Sequence, residues 1–425
     1  MTKIDYQTIR EIAEHGPDDI SEIYQFPAHL IYSSPATLAF NSPGAEGYGV
    51  KRAGLAVPES IMLIVAPGCC GRNTSLISRI KGYDHRFFYL MMDETDLITG
   101  RHLTKIPEAV KDVVDTLGYK PSVVMICITC VDALLGTDME RVCRKAEDFA
   151  KVRVRPCYMY ALTREGRKPP MVHVRESLYS LLEPKPKVAT SINILGFFAP
   201  LRKTELLDVF YRSGIKTIRQ IGTCQTYDEF LNMAEANFNL VINPEAYHAA
   251  KQIHKRLGIP FVSLERFYGI ERIHHQYKAI SNVFHKQLDD EEMYQKAKNA
   301  IQELKELQPL SVAVGECLNA NPFELALSLV EYGCQVKAIY ANVDPSHFAY
   351  INALNELSPE TKVYSNMEPT MLYYDGGEDE VDLAIGKDAI YYHDQSAHLN
   401  WNEDMQPFGY QGIIDLIEAI KEAVK

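Results

Sequence analysis

The chain has 425 residues, of which 46% are hydrophobic and 24% are charged, a composition that supports ordinary globular cores and, at ~150 residues per domain, two or three domains. The formal net charge is −12 and the lysines and arginines are scattered, so phosphate backbones would be repelled and we expect no nucleic acid partner. No apolar stretch reaches the ~18 residues of a membrane-spanning helix, and the polar N-terminus lacks the sections of a secretory signal, so we expect no membrane partner and a cytoplasmic location.

Short apolar runs alternate with amphipathic helical stretches along the chain. The runs are continuously apolar, which is typical of parallel strands that are covered on both faces. They fall at 61–67, 88–93, 122–128, 191–197, 215–222, 238–243, 310–316, 335–341 and 381–386. Helical stretches between them end on Gly214, Gly258 and Gly333, and glycine is a common helix stop. This βαβ spacing predicts an α/β fold of parallel sheets flanked by helices.

The elements group into three blocks. A linker rich in proline and charge, EPKPK, separates the first block from the second at 183–187. We predict an N-terminal cluster-binding α/β domain over 1–182 and a second Rossmann-like domain over 188–266. A helical connection over 267–308 then leads to a third Rossmann-like domain over 309–425.

A Gly-rich segment with two adjacent cysteines, APGCCGRNTS (66–75), follows a buried strand and precedes a helical stretch. At such a turn Cys69 and Cys70 lie near backbone N–H groups, which stabilise the thiolate form that ligates iron. The alternative interpretation is a tight turn with incidental cysteines. No Lys precedes Thr74 or Ser75, so the segment is not a phosphate-binding P-loop.

A second cysteine segment, CITCVDALLGTD (127–138), also leaves a buried strand. We expect Cys127 to pack within the strand, whereas Cys130 falls at its C-terminal end, where the ligands of parallel sheets collect. A CxxC spacing is also found in redox dithiols and half zinc sites, but no second CxxC or suitably spaced His pair completes a zinc site. Strands of one sheet can bring Cys70 and Cys130 together at this edge.

Two other groups of polar residues follow strands. Glu316 and Cys317 end one strand, near where ligands would lie. Asp93, Glu94 and Asp96 end another strand, where carboxylates can position loops or donate protons. For this second group we favour a solvated turn.

Several segments, in order, resemble the nitrogenase component 1 superfamily, which includes nitrogenase molybdenum–iron protein subunits, their assembly scaffold, and the protochlorophyllide and nickel-sirohydrochlorin reductases. NSPGA (41–45) resembles the family's Cys-x-Pro-x-Gly-Ala, and PGCCG (67–71) resembles its Gly-Pro-x-Gly-Cys turn. ETDLITGRHL (94–103), TCVDALLGTD (129–138) and the strand–helix–strand at 238–261 resemble later family segments. The resemblance covers most of the chain and implies three Rossmann-like domains and a bound iron–sulfur cluster.

The resemblance also implies which residues ligate the cluster. Two cluster cysteines of the family fall on Cys70 and Cys130. The first family cysteine falls on Asn41, whose oxygen would replace a thiolate, and Cys69 has no clear counterpart. Asn41 and Cys69 are therefore further candidate ligands beside Cys70 and Cys130.

The large metal cofactor of nitrogenase has no cysteine anchor here. That family cysteine falls on Asn243, and the cofactor's histidine falls near His398, so we do not expect this cofactor. A [4Fe–4S] cluster takes four thiolates, and two chains with two cysteines each supply them at a two-fold interface. We therefore predict one [4Fe–4S] cluster shared in a homodimer, or in a heterodimer with a related component 1 subunit.

The function implied by the resemblance is that of a nitrogenase-like reductase subunit, an oxidoreductase. An ATP-dependent iron-protein reductase would pass electrons to the cluster, which would relay them to a tetrapyrrole or another small molecule. A metallocofactor assembly scaffold of the same fold is the main alternative. A cluster-free small-molecule binding module is the third hypothesis.

Overall fold

The computed structural model describes residues 4–24, 53–80, 82–129, 131, 135–158, 168–201, 203–376, 380–403 and 406–425. Its strands are, in chain order, β1 (Gln7–Thr8), β2 (Ile61–Ala66), β3 (Phe87–Met91), β4 (Val123–Ile128), β5 (Arg153–Tyr158), β6 (Val188–Leu195), β7 (Thr217–Arg219), β8 (Ala236–Val241), β9 (Phe261–Ser263), β10 (Ser311–Gly315), β11 (Gln335–Tyr340), β12 (Lys362–Tyr364), β13 (Leu383–Ile385) and β14 (Ala397–Leu399). Its α-helices are α1 (Ile9–His15), α2 (Gly68–Ile80), α3 (Glu94–Ile98), α4 (His102–Thr116), α5 (Met139–Ala150), α6 (Pro170–Tyr179), α7 (Glu205–Arg212), α8 (Tyr227–Leu231), α9 (Tyr247–Leu257), α10 (Ile270–Phe284), α11 (Glu291–Lys305), α12 (Pro322–Glu331), α13 (Phe348–Leu357), α14 (Lys387–Tyr392) and α15 (Tyr410–Ala423).

The first sheet has the strand order β3-β2-β4-β5, and all its pairs are parallel. Strands β2 and β4 are buried along their whole length, as their continuous apolar runs predict. Successive side chains of β2 alternate between two hydrophobic cores, with Ile64 in one and Leu63 in the other. Burying an aliphatic side chain contributes about 1.5–3 kcal/mol, so these two central strands fix the sheet and the ends from which its loops leave.

The second sheet has the order β7-β6-β8-β9 and is also parallel throughout. Leu195 at the end of β6 and Val241 at the end of β8 join the same core as Ile64. Asn193 and Asn239 pair in register on β6 and β8, and the Asn193 side chain donates a hydrogen bond of 2.8 Å to that of Asn239. This bond satisfies one polar atom of each side chain inside an apolar sheet.

The third sheet has the order β1-β12-β11-β10-β13-β14 and is parallel except for β1, which pairs with β12 in the antiparallel sense. Strand β10 is central, and the chain proceeds outward from it first on one side and then on the other. This doubly wound order creates a switch point at the C-terminal end of β10, where α/β proteins collect ligands.

The described residues group into two compact units. One contains the first and second sheets, and the other contains the third sheet together with α7, α10, α11 and α15. Within the part of the chain that the structure describes, no helix combines the length and the apolar character that crossing a bilayer requires.

The α/β fold with parallel sheets and flanking helices is confirmed, whereas the number and boundaries of the domains stay a prediction. The stretch predicted as a helical connection over 267–308 contains two helices, α10 and α11. Helix α10 ends at Phe284, and the next residue, His285, adopts a left-handed conformation with φ of 51°. Such a residue directs the chain out of a helix.

Candidate functional site

The cysteine pair predicted from the sequence lies at the start of α2, directly after β2. Cys69 is exposed and Cys70 is half-buried, and their Sγ atoms are 3.8 Å apart. The first turn of a helix presents backbone N–H groups that lack helical partners, and these groups favour negative ligands. Cys130 and Asn41, the other candidate ligands, lie outside the described residues, so their roles stay predictions.

Side-chain hydrogen bonds fix the turn that carries the two thiols. The Thr74 hydroxyl donates to the Cys70 carbonyl over 2.6 Å, and the Ser75 hydroxyl donates to the Gly71 carbonyl over 2.9 Å. The Gly71 amide donates to the Pro67 carbonyl over 3.1 Å, so helical bonding begins at once after the strand. The segment is therefore a tight turn from a strand into a helix, and iron ligation by its cysteines stays a prediction.

Tyr89 on the neighbouring strand β3 reaches this turn. A Cβ atom on Gly71 would fall 1.9 Å from Cε2 and 2.1 Å from Cζ of the Tyr89 ring, so only glycine leaves room for the ring. Burial raises the pKa of Tyr89, and the nearby Cys69 and Cys70 raise it further. The Tyr89 hydroxyl oxygen is shielded from solvent and has no hydrogen-bond partner among the described residues.

A second shielded hydroxyl lies at the end of β4. Thr129 is 1% exposed, and its hydroxyl also has no hydrogen-bond partner within the described ranges. Because β3, β2 and β4 are parallel neighbours, their C-terminal ends meet at one edge of the first sheet. Thr129 immediately precedes Cys130 in the sequence.

This edge fits an iron–sulfur cluster by the chemistry of its donors. Thiolates ligate iron, and buried hydroxyls without partners are donors for the sulfur atoms of a thiolate or a cluster. Buried polar groups are normally satisfied, so the Tyr89 and Thr129 hydroxyls at this sheet edge indicate an acceptor that the described residues do not provide. Among the described residues, no three His, Cys, Asp or Glu side chains are grouped as a complete metal site.

The acidic segment after β3 is only in part the solvated turn that we favoured, because Asp93 and Glu94 are exposed whereas Asp96 is buried. Asp96 is fully buried, and its carboxylate forms ion pairs with Arg101, over 2.8 Å, and with Lys105. The hydrogen bond from Lys105 lowers the pKa of Asp96. Asp93 and Asp96 also cap each other's backbone in a capping box at the start of α3.

Asp96 therefore ties together the loop that follows β3. Lys105 also donates to the Met91 carbonyl over 3.0 Å, which joins the end of β3 to helix α4. A carboxylate with a lowered pKa is a poor proton donor, so Asp96 positions the loop. The capping-box spacing of Asp93 and Asp96 was a signal that the sequence already contained.

A carboxylate pair lies at the switch point of the third sheet, and the sequence analysis named only one of its members, Glu316. The Asp388 carboxylate accepts the backbone amides of Glu316 over 2.8 Å and of Cys317 over 3.0 Å. The Asn366 side-chain amide donates to Glu316 over 3.0 Å and to Asp388 over 2.8 Å. Burial raises the pKa of Glu316 to about 6, and burial also raises the pKa of Asp388.

The two positions aligned with nitrogenase cofactor ligands have local structural roles. The Asn243 side chain accepts the Glu245 amide over 2.9 Å and caps a short 3-10 turn. His398 lies on β14, where its Nε2 atom is 3.2 Å from the His393 carbonyl.

Parallel sheets in βαβ order and a thiol pair that follows a buried strand define an α/β protein with a cysteine-containing sheet edge. A family model described as Nitrogenase component 1 type Oxidoreductase matches residues 46–425, and the chain belongs to this family. The expectation drawn from the sequence motifs is thereby confirmed.

Relatives and solved structures agree with this membership. The chain is 23% identical over 359 residues to the nitrogenase iron-molybdenum cofactor biosynthesis protein NifE of Sinorhizobium fredii, a match that covers 78% of this chain and 71% of the relative. It is 26% identical over 215 residues to the protein of the same name from Clostridium pasteurianum, covering 49% of this chain and 45% of the relative. The chain thus spans about half the length of the second relative.

A similar fold occurs in the solved structure of nitrogenase Cp1 at pH 6.5. That structure matches with a TM-score of 0.70 at 18% identity and covers 97% of this chain and 96% of the other. Identity at this level shows the fold alone.

Proposed function

We propose that the chain is a subunit of a metallocofactor assembly scaffold that holds an iron–sulfur cluster at the edge of the first sheet. The observation that carries the proposal is that the cysteine pair shares a sheet edge with two shielded hydroxyls that have no partner among the described residues. The cluster would be cargo, built or kept on this edge until an acceptor takes it. The relatives named as cofactor biosynthesis proteins favour this scaffold over the electron relay that we first expected.

The exposure of the thiols supports a transfer function. Clusters move between proteins when an acceptor thiolate replaces a donor thiolate, so a donor sulfur must be accessible. Cys69 is exposed and lies 3.8 Å from Cys70, which is half-buried. Cys70 would hold the cluster, and Cys69 would serve as an alternative ligand during release.

The remaining ligands are proposed from the family motifs. Cys130 follows the shielded Thr129, and a two-fold partner with the same two cysteines completes a [4Fe–4S] ligand set. Exposed apolar side chains near this edge support a subunit contact, because Met91 is 57% exposed, Ile98 84% and Leu135 50%. The partner would be a second copy or a related component 1 subunit, and Asn41 stays a candidate oxygen ligand.

An electron-relaying reductase is the second candidate, because the matching family is described as an oxidoreductase. In that case an ATP-dependent iron protein would supply electrons to the cluster, and a small molecule would receive them. A tetrapyrrole substrate rests on the motif resemblance alone.

Anaerobic purification with iron and sulfide counts tests cluster binding. We expect iron in the wild-type protein and a large loss in Cys70→Ser. Cys224→Ser is a matched control, since Cys224 is also half-buried and its thiol donates to the Gln220 carbonyl, which serine can imitate. Equal and negligible iron in the wild type and Cys70→Ser would overturn the proposal.

Transfer and turnover assays separate the two candidates. A scaffold passes its cluster to an apo-ferredoxin under anaerobic conditions and does not consume reductant catalytically. A reductase retains its cluster and consumes reductant when an ATP-hydrolysing iron protein is added. If the protein retained its cluster and consumed reductant continuously, the scaffold proposal would be wrong and the reductase function would be favoured.

A further inference from the structure

The Tyr89 hydroxyl is placed beside the cysteine pair but bonds to nothing else in the described part of the chain. The oxygen is shielded from solvent. A hydroxyl loses its hydrogen bonds to water when it is buried, and native proteins normally replace them. The position of this hydroxyl therefore calls for an acceptor at the end of strand β2.

The geometry of the ring restricts where that acceptor lies. Cζ, the atom that carries the hydroxyl, would be 2.1 Å from a Cβ atom on Gly71, so the ring lies against the backbone of the first turn of α2. Tyr89 also packs with Cys70 against the same core. The Tyr89 hydroxyl does not bond to either cysteine thiol among the described residues, so a sulfur atom of a cluster bound at this turn is the acceptor that the arrangement leaves for it.

We propose that the Tyr89 hydroxyl donates a hydrogen bond to a sulfur atom at the Cys69–Cys70 cluster site and thereby raises the reduction potential of the bound cluster. An added electron increases the negative charge on the sulfur atoms, and a hydrogen-bond donor stabilises that charge. This inference rests on the proposed function, since it needs a cluster at this edge. Tyr89 acts as a positioning and tuning residue and is not an iron ligand.

The experiment compares Tyr89→Phe with a matched tyrosine variant in the reconstituted full-length protein. Tyr83→Phe removes the same hydroxyl from a ring that packs on the same core. Tyr83 lies near the start of β3, with its ring 6.3 Å from Phe87, and thus at the opposite edge of the sheet. The midpoint potential of each variant is measured by anaerobic redox titration.

We expect Tyr89→Phe to keep its cluster and to shift the midpoint potential to a more negative value, while Tyr83→Phe titrates like the wild type. Replacing Tyr89 by 3-fluorotyrosine, a stronger donor of nearly the same shape, should shift the potential in the opposite direction. If Tyr89→Phe does not retain iron, the 3-fluorotyrosine variant alone tests whether the Tyr89 hydroxyl raises the reduction potential.

The outcomes separate this inference from the function on which it rests. Loaded Tyr89→Phe and 3-fluorotyrosine variants with the wild-type potential would overturn the hydrogen bond while leaving the cluster site intact. A wild-type protein without a cluster would overturn both the inference and the proposed function.

Discussion

Tyr89 and Gly71 meet where a strand and a helix of the first sheet come together, and a Cβ atom on residue 71 would fall 1.9 Å from Cε2 of the tyrosine ring. Real side chains do not approach so closely, so residue 71 decides whether the ring can stay beside the cysteines. This contact links the packing of the sheet to the candidate cluster site.

Gly71→Ala should displace the Tyr89 ring and destabilise the protein. Overpacking of this kind costs about 1–3 kcal/mol, and denaturant titration of the free energy of unfolding measures it. Gly68→Ala in the same helix is the control, because a Cβ atom there would meet nothing within 4 Å. Equal stability of the two variants would contradict the contact.

Thr129→Val should leave the stability of the cluster-free protein unchanged or raise it by up to ~1 kcal/mol, because it removes a buried hydroxyl without a partner in the described chain. Thr361→Val is the control: Thr361 is 2% exposed, and its hydroxyl donates to the Val336 carbonyl over 2.8 Å. That variant should lose about 1–2 kcal/mol in denaturant titration. A comparable loss in both variants would mean that the Thr129 hydroxyl is already satisfied.

Asp96→Asn should destabilise the protein near neutral pH, because it removes the buried charge that pairs with Arg101 and Lys105. The pKa of Asp96 is lowered from its ordinary value of 3.8. The stabilisation is therefore present above that value and is lost as pH falls through the lowered folded value. Denaturation midpoints measured from neutral to acidic pH should converge for variant and wild type.

Asp115→Asn provides the control for Asp96. Asp115 pairs with Lys111 one helical turn away, and its side chain is 59% exposed. Such surface pairs contribute little, so this variant should unfold like the wild type. If Asp115→Asn lost as much stability as Asp96→Asn, burial of the ion pair would not be the cause of the stabilisation.

Glu316→Gln should change the dependence of stability on pH. The pKa of Glu316 is raised from 4.5 to about 6 by burial, so between these values the folded state holds a proton that the unfolded state has released. The free energy of unfolding of the wild type therefore falls as pH rises across this window, by about 2 kcal/mol. The glutamine variant lacks this decline and should be more stable relative to the wild type at pH 7 than at pH 4.

Thermal or denaturant unfolding at several pH values measures the effect, with Glu306→Gln, an exposed glutamate of the same unit, as control. If the stability of the wild type and of Glu316→Gln depended on pH in the same way, the raised pKa of Glu316 would be refuted.

Much of the fold could be predicted from the sequence because its signals are local. Continuous apolar runs such as 61–67 predicted the buried parallel strands, since only a strand covered on both faces tolerates them. Gly258 predicted the end of α9 because it adopts the left-handed conformation, with φ of 67°, that terminates helices. The break at His285 was missed, because a non-glycine residue gives no such signal.

For the candidate site, too, local features could be predicted from the sequence, whereas contacts between distant residues could not. The sequence by itself determined that Cys69 and Cys70 follow a buried strand at the start of a helix, because both elements are fixed by neighbouring residues. Its motifs also determined the family. Only the tertiary structure decided that Asp96 is buried against Arg101 and Lys105 and that Glu316 and Asp388, 72 residues apart, share one edge. The tertiary structure also decided that Tyr89 approaches Gly71. Contacts between separate elements depend on the order and register of the strands, and no local sequence pattern determines strand order or register.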